Sequence, residues 1–211
     1  MIHVITSANS AQNIDLMEQA FRLRHRIFVE EMGWSAVARE DRREIDEFDD
    51  EHAVHLLAVE EEDDVVGYSR LLPTMRPYVL STHLPQLCKG PPPADPGLVE
   101  WSRIGVADSA RTSGRRLNPT ALAILTAIVE WGLPRGLHGF VSEMPTSWLL
   151  RLLQLHIHAM PLGLPQRIDD VEIVAVRAGF DAQSLRRLHA MRGITDSVLA
   201  PARGGIIRLA S

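Results

Sequence analysis

Cysteine is almost missing: Cys88 is the one thiol in 211 residues, which excludes an intrachain disulfide and any cysteine-rich metal site. Positive charge is not in excess, since 22 Lys and Arg stand against 27 Asp and Glu for a net −5, and that argues against general nucleic-acid binding, which wants a basic footprint. No apolar run approaches the ~20 residues that span a bilayer. Residues 1–10 (MIHVITSANS) lack the basic start and long apolar stretch of a secretory signal. There is no repeat and no low-complexity block. Aromatic residues make up only 5%, while the hydrophobic (45%) and charged (23%) fractions are ordinary for a globular protein. These limits lead to the expectation of a cytoplasmic protein, one domain over residues 1–211, long enough for a full core.

Residues 2–6 alternate as a short strand. Over residues 11–31, Ile14, Met17, Phe21, Leu23 and Phe28 fall near helical spacing, with Asn9 or Ser10 as N-cap and Gly33 as terminator. Residues 37–51 are highly charged and read as an exposed loop. Residues 53–60 (AVHLLAVE) and 65–72 (VVGYSRLL) read as a hairpin. Prolines then punctuate a long loop with one short helix near residues 83–88. Residues 98–107 read as a buried strand, and Asn118 with Pro119 as the N-cap and first turn of a helix running to Trp131. Strands are expected at residues 137–142 and 171–177, helices at 146–155 and 181–190. Residues 163–170 and the tail after Met191 read as loop, with a final strand in 201–211. This order suits an α/β sandwich with helices on both faces of a mixed, mostly antiparallel sheet.

Between residues 24 and 103, acids, arginines and aromatics recur in an order that packing alone does not demand. The run holds Arg24, Phe28, Trp34, then EIDEFDD (44–50), GYSRLLPT (67–74) and EWSR (100–103). Together these motifs resemble the LuxI-type N-acyl-homoserine lactone synthases, most of all a branch using short branched or aryl acyl-CoA donors. The resemblance weakens after Leu150. It implies the acyl-CoA N-acetyltransferase (GNAT) architecture, with residues 1–50 serving S-adenosylmethionine and residues 98–190 the acyl thioester. The loop of residues 111–116 (RTSGRR) keeps the Arg and Gly of that fold's pyrophosphate loop, but Arg116 stands where a small residue is usual.

The implied reaction has two steps. The amine of S-adenosylmethionine attacks a thioester carbonyl, and its carboxylate then closes a lactone, expelling 5′-methylthioadenosine. No further cofactor is implied. Glu100, a carboxylate in the apolar run LVEW, is the expected general base, because burial raises a carboxylate pKa; Arg103 is grouped with it as catalytic. For S-adenosylmethionine binding the resemblance implies Arg24, Phe28, Trp34, Asp46, Asp49, Arg70, Trp101 and Ser102. Arginine suits the task because its planar fork meets a carboxylate bidentately; one of the three faces the substrate carboxylate. Ile104, Ser142, Met144 and Leu149 are the expected acyl pocket, and the bulk of Trp101 argues for a small acyl group. Arg111, Arg115 and Arg116 suit a solvated loop, coenzyme A phosphates or an acidic acyl carrier protein alike. His156 and His158 lack a third ligand, so no metal is expected. The rival readings are an acetyl-CoA-dependent N-acetyltransferase and a non-catalytic S-adenosylmethionine or thioester sensor.

Overall fold

The computed structural model describes residues 1–60, 63–112, 118–155 and 157–201. At its centre lies an eight-stranded sheet. Its order is β1 (Ile2–Ile5), β2 (Val54–Val59), β3 (Val65–Pro73), β4 (Leu98–Val106), β5 (Gly139–Pro145) and β8 (Val171–Gly179), with β6 (His158–Pro161) and β7 (Gln166–Ile168) on the outer edge of β8. Neighbouring strands are antiparallel apart from β4 and β5, which run parallel. One face carries α1 (Ile14–Arg24) and the short α2 (Val79–Thr82); the other carries α3 (Pro119–Gly132), α4 (Thr146–Gln154) and α5 (Ala182–Arg192). This is the expected α/β sandwich.

Strand alternation sorts the side chains between these faces. On β2, Leu57 and Val59 pack toward α1, Leu56 and Ala58 toward α3. Helix α3 sits between the sheet and α5 and is apolar nearly all round; Asn118 caps it by accepting from the amides of Thr120 and Ala121.

Two features of β4 shape the centre of the molecule. First, Tyr68 faces Gly105 while Arg70 faces Ser102, so β4 holds one extra residue there, and Arg103 takes a left-handed φ of 55°. In a regular strand Arg103 would point away from the face of Ser102; the bulge keeps both on the α1 side and leaves Ile104 on the α3 side. Second, β4 and β5 pair at Leu98, Val99 and Glu100, then part, β4 following β3 to Val106 and β5 following β8 to Pro145. The sheet therefore opens beside Glu100.

Several local expectations are corrected. Asn13, not Asn9 or Ser10, precedes α1, because residues 10–12 form a separate 3₁₀ turn. Beyond Arg24 the helix widens into a π-helical segment (His25–Glu31) that buries Ile27 and Phe28, and Gly33 then reverses the chain at a φ of 75°. The loop of residues 37–51 is not all exposed: Glu44, Phe48 and Asp49 are buried. The short helix expected near residues 83–88 is a 3₁₀ turn at Pro85–Leu87, and α2 precedes it as a further element. Strand β7 lies within residues 163–170, expected as loop, and β6 lies in residues for which no element is expected; their short exposed runs carry no clear alternation. In the tail, Val198 and Ala200 bond to Ile2 at the edge of β1. Most of the final-strand expectation lies outside the described residues.

Candidate active site

Three arginines and three carboxylates meet on the α1 face. Arg24, at the end of α1, is completely buried. Its Nε donates to Glu44 at 2.5 Å, and its two terminal nitrogens clamp Asp49 at 2.7 and 2.8 Å. Arg70, from β3 and equally buried, clamps Asp46 at 2.5 and 3.0 Å and meets Asp49 at 2.9 Å; its Nε donates to Ser102 Oγ. Arg103, carried in by the bulge, donates to Glu44 at 3.0 Å and to Asp46 at 2.7 Å. The charges balance, and each carboxylate is shared by two arginines. Burial opposes ionisation of Asp49, yet the Arg24 charge and hydrogen bonds hold its carboxyl well below the usual range. Burial likewise works against the Arg70 cation, and Asp46 and Asp49 outweigh it.

Beneath this cluster a neutral chain continues inward. Burial pushes Tyr68 up to about 12 and His55 down to about 4, so both stay neutral; the phenol oxygen is hydrogen-bonded to His55 Nδ1 at 2.6 Å and accepts from Arg24 at 3.1 Å. Above it the cluster ends in aromatic rings. Trp34 stacks on Phe28 with centroids 5.1 Å apart, and the Arg103 guanidinium lies 5.5 and 5.6 Å from the two centroids. Trp34 is 40% exposed and Arg103 10%, so this rim is where the cluster meets solvent.

Glu100 occupies the same face at the point where β4 and β5 part. It is buried, and its two oxygens accept from the amides of Val79 and Leu80 at 3.1 and 2.7 Å. Burial raises its pKa against those two hydrogen bonds. Glu143, on β5, brings a second carboxyl against it; burial, and next the Glu100 charge, push Glu143 well above the ordinary range.

The structure thus brings together Arg24, Phe28, Trp34, Asp46, Asp49, Arg70, Ser102, Arg103 and Glu100. Two expectations need correction. Trp101 does not join the cluster: alternation turns its indole to the α3 face, where it meets Phe140 edge-on at 4.9 Å and donates to Ser69 Oγ. Arg24 and Asp49 are enclosed beneath the rim, without an open surface. Trp101, Met144 and the partly buried Ile104 and Leu149 belong to the large apolar core on the α3 side of the sheet, and Ser142 Oγ donates to the Trp101 carbonyl at 2.8 Å. Arg111 is held by Glu31 and the Val106 carbonyl. Arg115, Arg116 and His156 lie outside the described residues, and His158 is exposed on β6.

Sequence reading missed Glu44, His55, Tyr68 and Glu143. Glu44 was one acid in an acidic run, with nothing to mark it as buried. Glu143 did carry a signal: FVSEM is an apolar strand broken by one carboxylate, the same pattern that singled out Glu100 in LVEW.

Residues 7–188 match the autoinducer synthase family. The chain is 38% identical over 200 residues to an isovaleryl-homoserine lactone synthase of Bradyrhizobium diazoefficiens, covering 94% of this chain and 88% of that protein. Its fold superposes with a TM-score of 0.87, at 37% identity and over 95% of this chain and 92% of the other, on BjaI, a CoA-dependent acyl-homoserine lactone synthase solved with S-adenosylmethionine and isopentyl-CoA. A more distant likeness, TM-score 0.55 at 19% identity over 84% of this chain and 97% of the other, to a putative N-acetyltransferase of Lactobacillus plantarum concerns the fold alone and agrees with the GNAT-like architecture. With a family match over most of its length and a close likeness in sequence and fold to such enzymes, the chain belongs to the autoinducer synthases and is an acyl-homoserine-lactone synthase, an acyltransferase.

Proposed function

We propose that the chain takes a short branched or aryl acyl group from coenzyme A and transfers it to S-adenosylmethionine, with Glu100 as base. The observation that carries this reading is the position of one buried carboxylate, Glu100, at the opening between β4 and β5. The ionic cluster adjoins it on one face, and the apolar group around Trp101 lies on the other. S-adenosylmethionine binds at the rim of Arg103, Asp46, Phe28 and Trp34. Arg103, the least enclosed arginine of the three, takes its carboxylate, and the rings face its sulfonium. The acyl chain passes between the strands toward Ile104, Ser142, Met144 and Leu149. Trp101 limits its length. The donor assignment draws support from BjaI, solved with isopentyl-CoA, and from the isovaleryl relative.

The substrate ammonium loses one proton to solvent to become an amine. As the amine attacks the thioester carbonyl, Glu100 takes its second proton. The C–S bond breaks, the electron pair leaves on sulfur, and Glu100 returns the proton to the thiolate. The carboxylate then attacks the carbon beside the sulfonium, that C–S bond breaks, and neutral 5′-methylthioadenosine departs without further proton transfer. Holding both partners at one opening supplies the proximity on which such a reaction depends.

The test is release of 5′-methylthioadenosine and lactone with short, branched, aryl and long acyl groups, each on coenzyme A and on carrier protein. Turnover confined to short branched or aryl acyl-CoA is expected, and Glu100→Gln should lower kcat by about 10²–10⁴ with S-adenosylmethionine binding retained. A preference for carrier protein overturns the donor assignment, and near-normal turnover by Glu100→Gln overturns the base.

A further inference from the structure

Glu143 has no part in the reaction as written, yet it is the group nearest in kind and place to the proposed base. It projects from β5 to the same face as Val141, the residue opposite Glu100 across the parallel pair. Its Oε1 is wholly enclosed and receives no hydrogen bond from the described residues. The sheet register sends its carboxyl and that of Glu100 to one face of neighbouring strands, where each acts on the other's ionisation. Two carboxylates cannot share a buried contact as two anions; one proton between them removes the repulsion and makes a short, strong hydrogen bond.

We propose that Glu143 is a positioning residue for Glu100: in its protonated form it donates a hydrogen bond to the Glu100 carboxylate, holding that oxygen pair oriented and ionised to receive the substrate proton. The surroundings decide which partner holds the shared proton. Glu100 already accepts from two backbone amides and has Arg70 near, all favouring its anion. Glu143 has one backbone hydrogen bond, from its own amide, and then the Arg103 charge to set against burial and the Glu100 charge, which outweigh them. Tyr78 and Cys88 also face the pair; burial first pushes both up, helped by Glu100 at Tyr78 and by Glu143 at Cys88, and both stay neutral. With the proton on Glu143 the pair carries one negative charge. When Glu100 takes the amine proton the pair becomes neutral, and transfer to the thiolate restores the starting state, so Glu143 gains and loses nothing in a cycle.

This inference rests on the reading of Glu100 as base, and the experiment separates the two. Infrared spectra of the full chain near pH 7 are compared for wild type, Glu100→Gln and Glu143→Gln. The carboxylic-acid carbonyl band of the pair should persist in Glu100→Gln and vanish in Glu143→Gln. Persistence in Glu143→Gln, or loss only in Glu100→Gln, overturns the assignment. The pH profile of kcat/KM is then measured for wild type, Glu143→Gln and Glu143→Met, the substrate amine titrating alike in all three. Glutamine still donates, so its acid limb should stay at the wild-type position. Methionine keeps the length without the donor, so its acid limb should move up by about one pH unit, a tenfold loss below the limb. A uniform drop in Glu143→Met with an unmoved limb means a packing role only and sinks the proposal. If Glu143→Met does not fold, the infrared comparison decides alone. Should Glu100→Gln keep its turnover, it is the base reading that fails, whatever the band shows.

Discussion

Arg103 and Arg24 carry the same charge in the same cluster, but their surroundings separate their roles. Arg24 is sealed between Glu44, Asp49 and Tyr68, so Arg24→Ala takes one of two arginine partners from each of Glu44 and Asp49, leaves the buried cluster with an uncompensated negative charge, and should cost about 3–5 kcal/mol of stability. Arg103 stands at the rim over Phe28 and Trp34. Arg103→Lys keeps the charge but loses the planar fork, so KM for S-adenosylmethionine should rise at least roughly tenfold, with a far smaller change in melting temperature. Thermal melts beside steady-state kinetics decide this, and an equal loss of stability in both variants would refute the division. His55 adds a pH signature. Burial lowers its pKa from 6.5 to about 4, the charges of Asp49, Arg24, Arg70 and Asp46 partly offsetting one another around it. The unfolded chain therefore binds the extra proton first as pH falls, and stability declines from about pH 6.5 down to about 4. The full effect is about 3 kcal/mol. In His55→Gln the loss of stability between pH 7 and pH 4, followed by denaturant titration, should shrink by about that amount; an unchanged loss means the imidazole is not held neutral.

At the scale of elements, the opening between β4 and β5 depends on how closely β5 sits between its neighbours. A Cβ at Gly139 would lie 2.4 Å from the Ala178 carbonyl oxygen and 3.0 Å from Leu98 Cδ2, and backbone cannot yield as a side-chain tip can. Gly139→Ala should cost about 2 kcal/mol and lower the melting temperature by roughly 4–8 °C. Gly105 is a useful contrast: its Cβ would meet Ile27 Cδ1 at 2.7 Å, the end of a side chain that can rotate, so Gly105→Ala should be milder. If Gly105→Ala proves the more damaging in calorimetry, the fit between the π-helical segment and β4 is tighter than the β5–β8 pairing. Helices and long strands were readable in the sequence because their apolar periodicity is set locally: α3 and its Asn118 cap, the β2–β3 hairpin, and β4. The bulge at Arg103 was not readable, since EWSRIGV continues as an ordinary strand and only the register against β3 reveals the extra residue.

Across the whole molecule, the rim draws on α1, its π-helical extension, the acidic loop, β3 and β4, so a ligand there ties distant segments together. S-adenosylmethionine at about 100 times its Kd should stabilise the chain by about 2.7 kcal/mol, a rise of roughly 5–11 °C in melting temperature. Arg103→Lys should lose most of that rise at the same concentration. A full shift in the variant, seen by differential scanning fluorimetry, would take Arg103 out of the binding site.

Taken by itself the sequence determined the α/β class, the family and most of the chemical inventory, because spaced motifs such as EIDEFDD, RLLPT and EWSR keep their identity without any fold. Tertiary structure decided which of those residues share a surface. It turned the acidic run from an exposed loop into the buried half of an ionic cluster and took Trp101 to the opposite face. It also set Glu143 against Glu100 from a strand forty residues away. The physical reason is the same in each case: desolvation and the pairing of charges are properties of a neighbourhood, and β4 and β5 become neighbours only when the sheet closes.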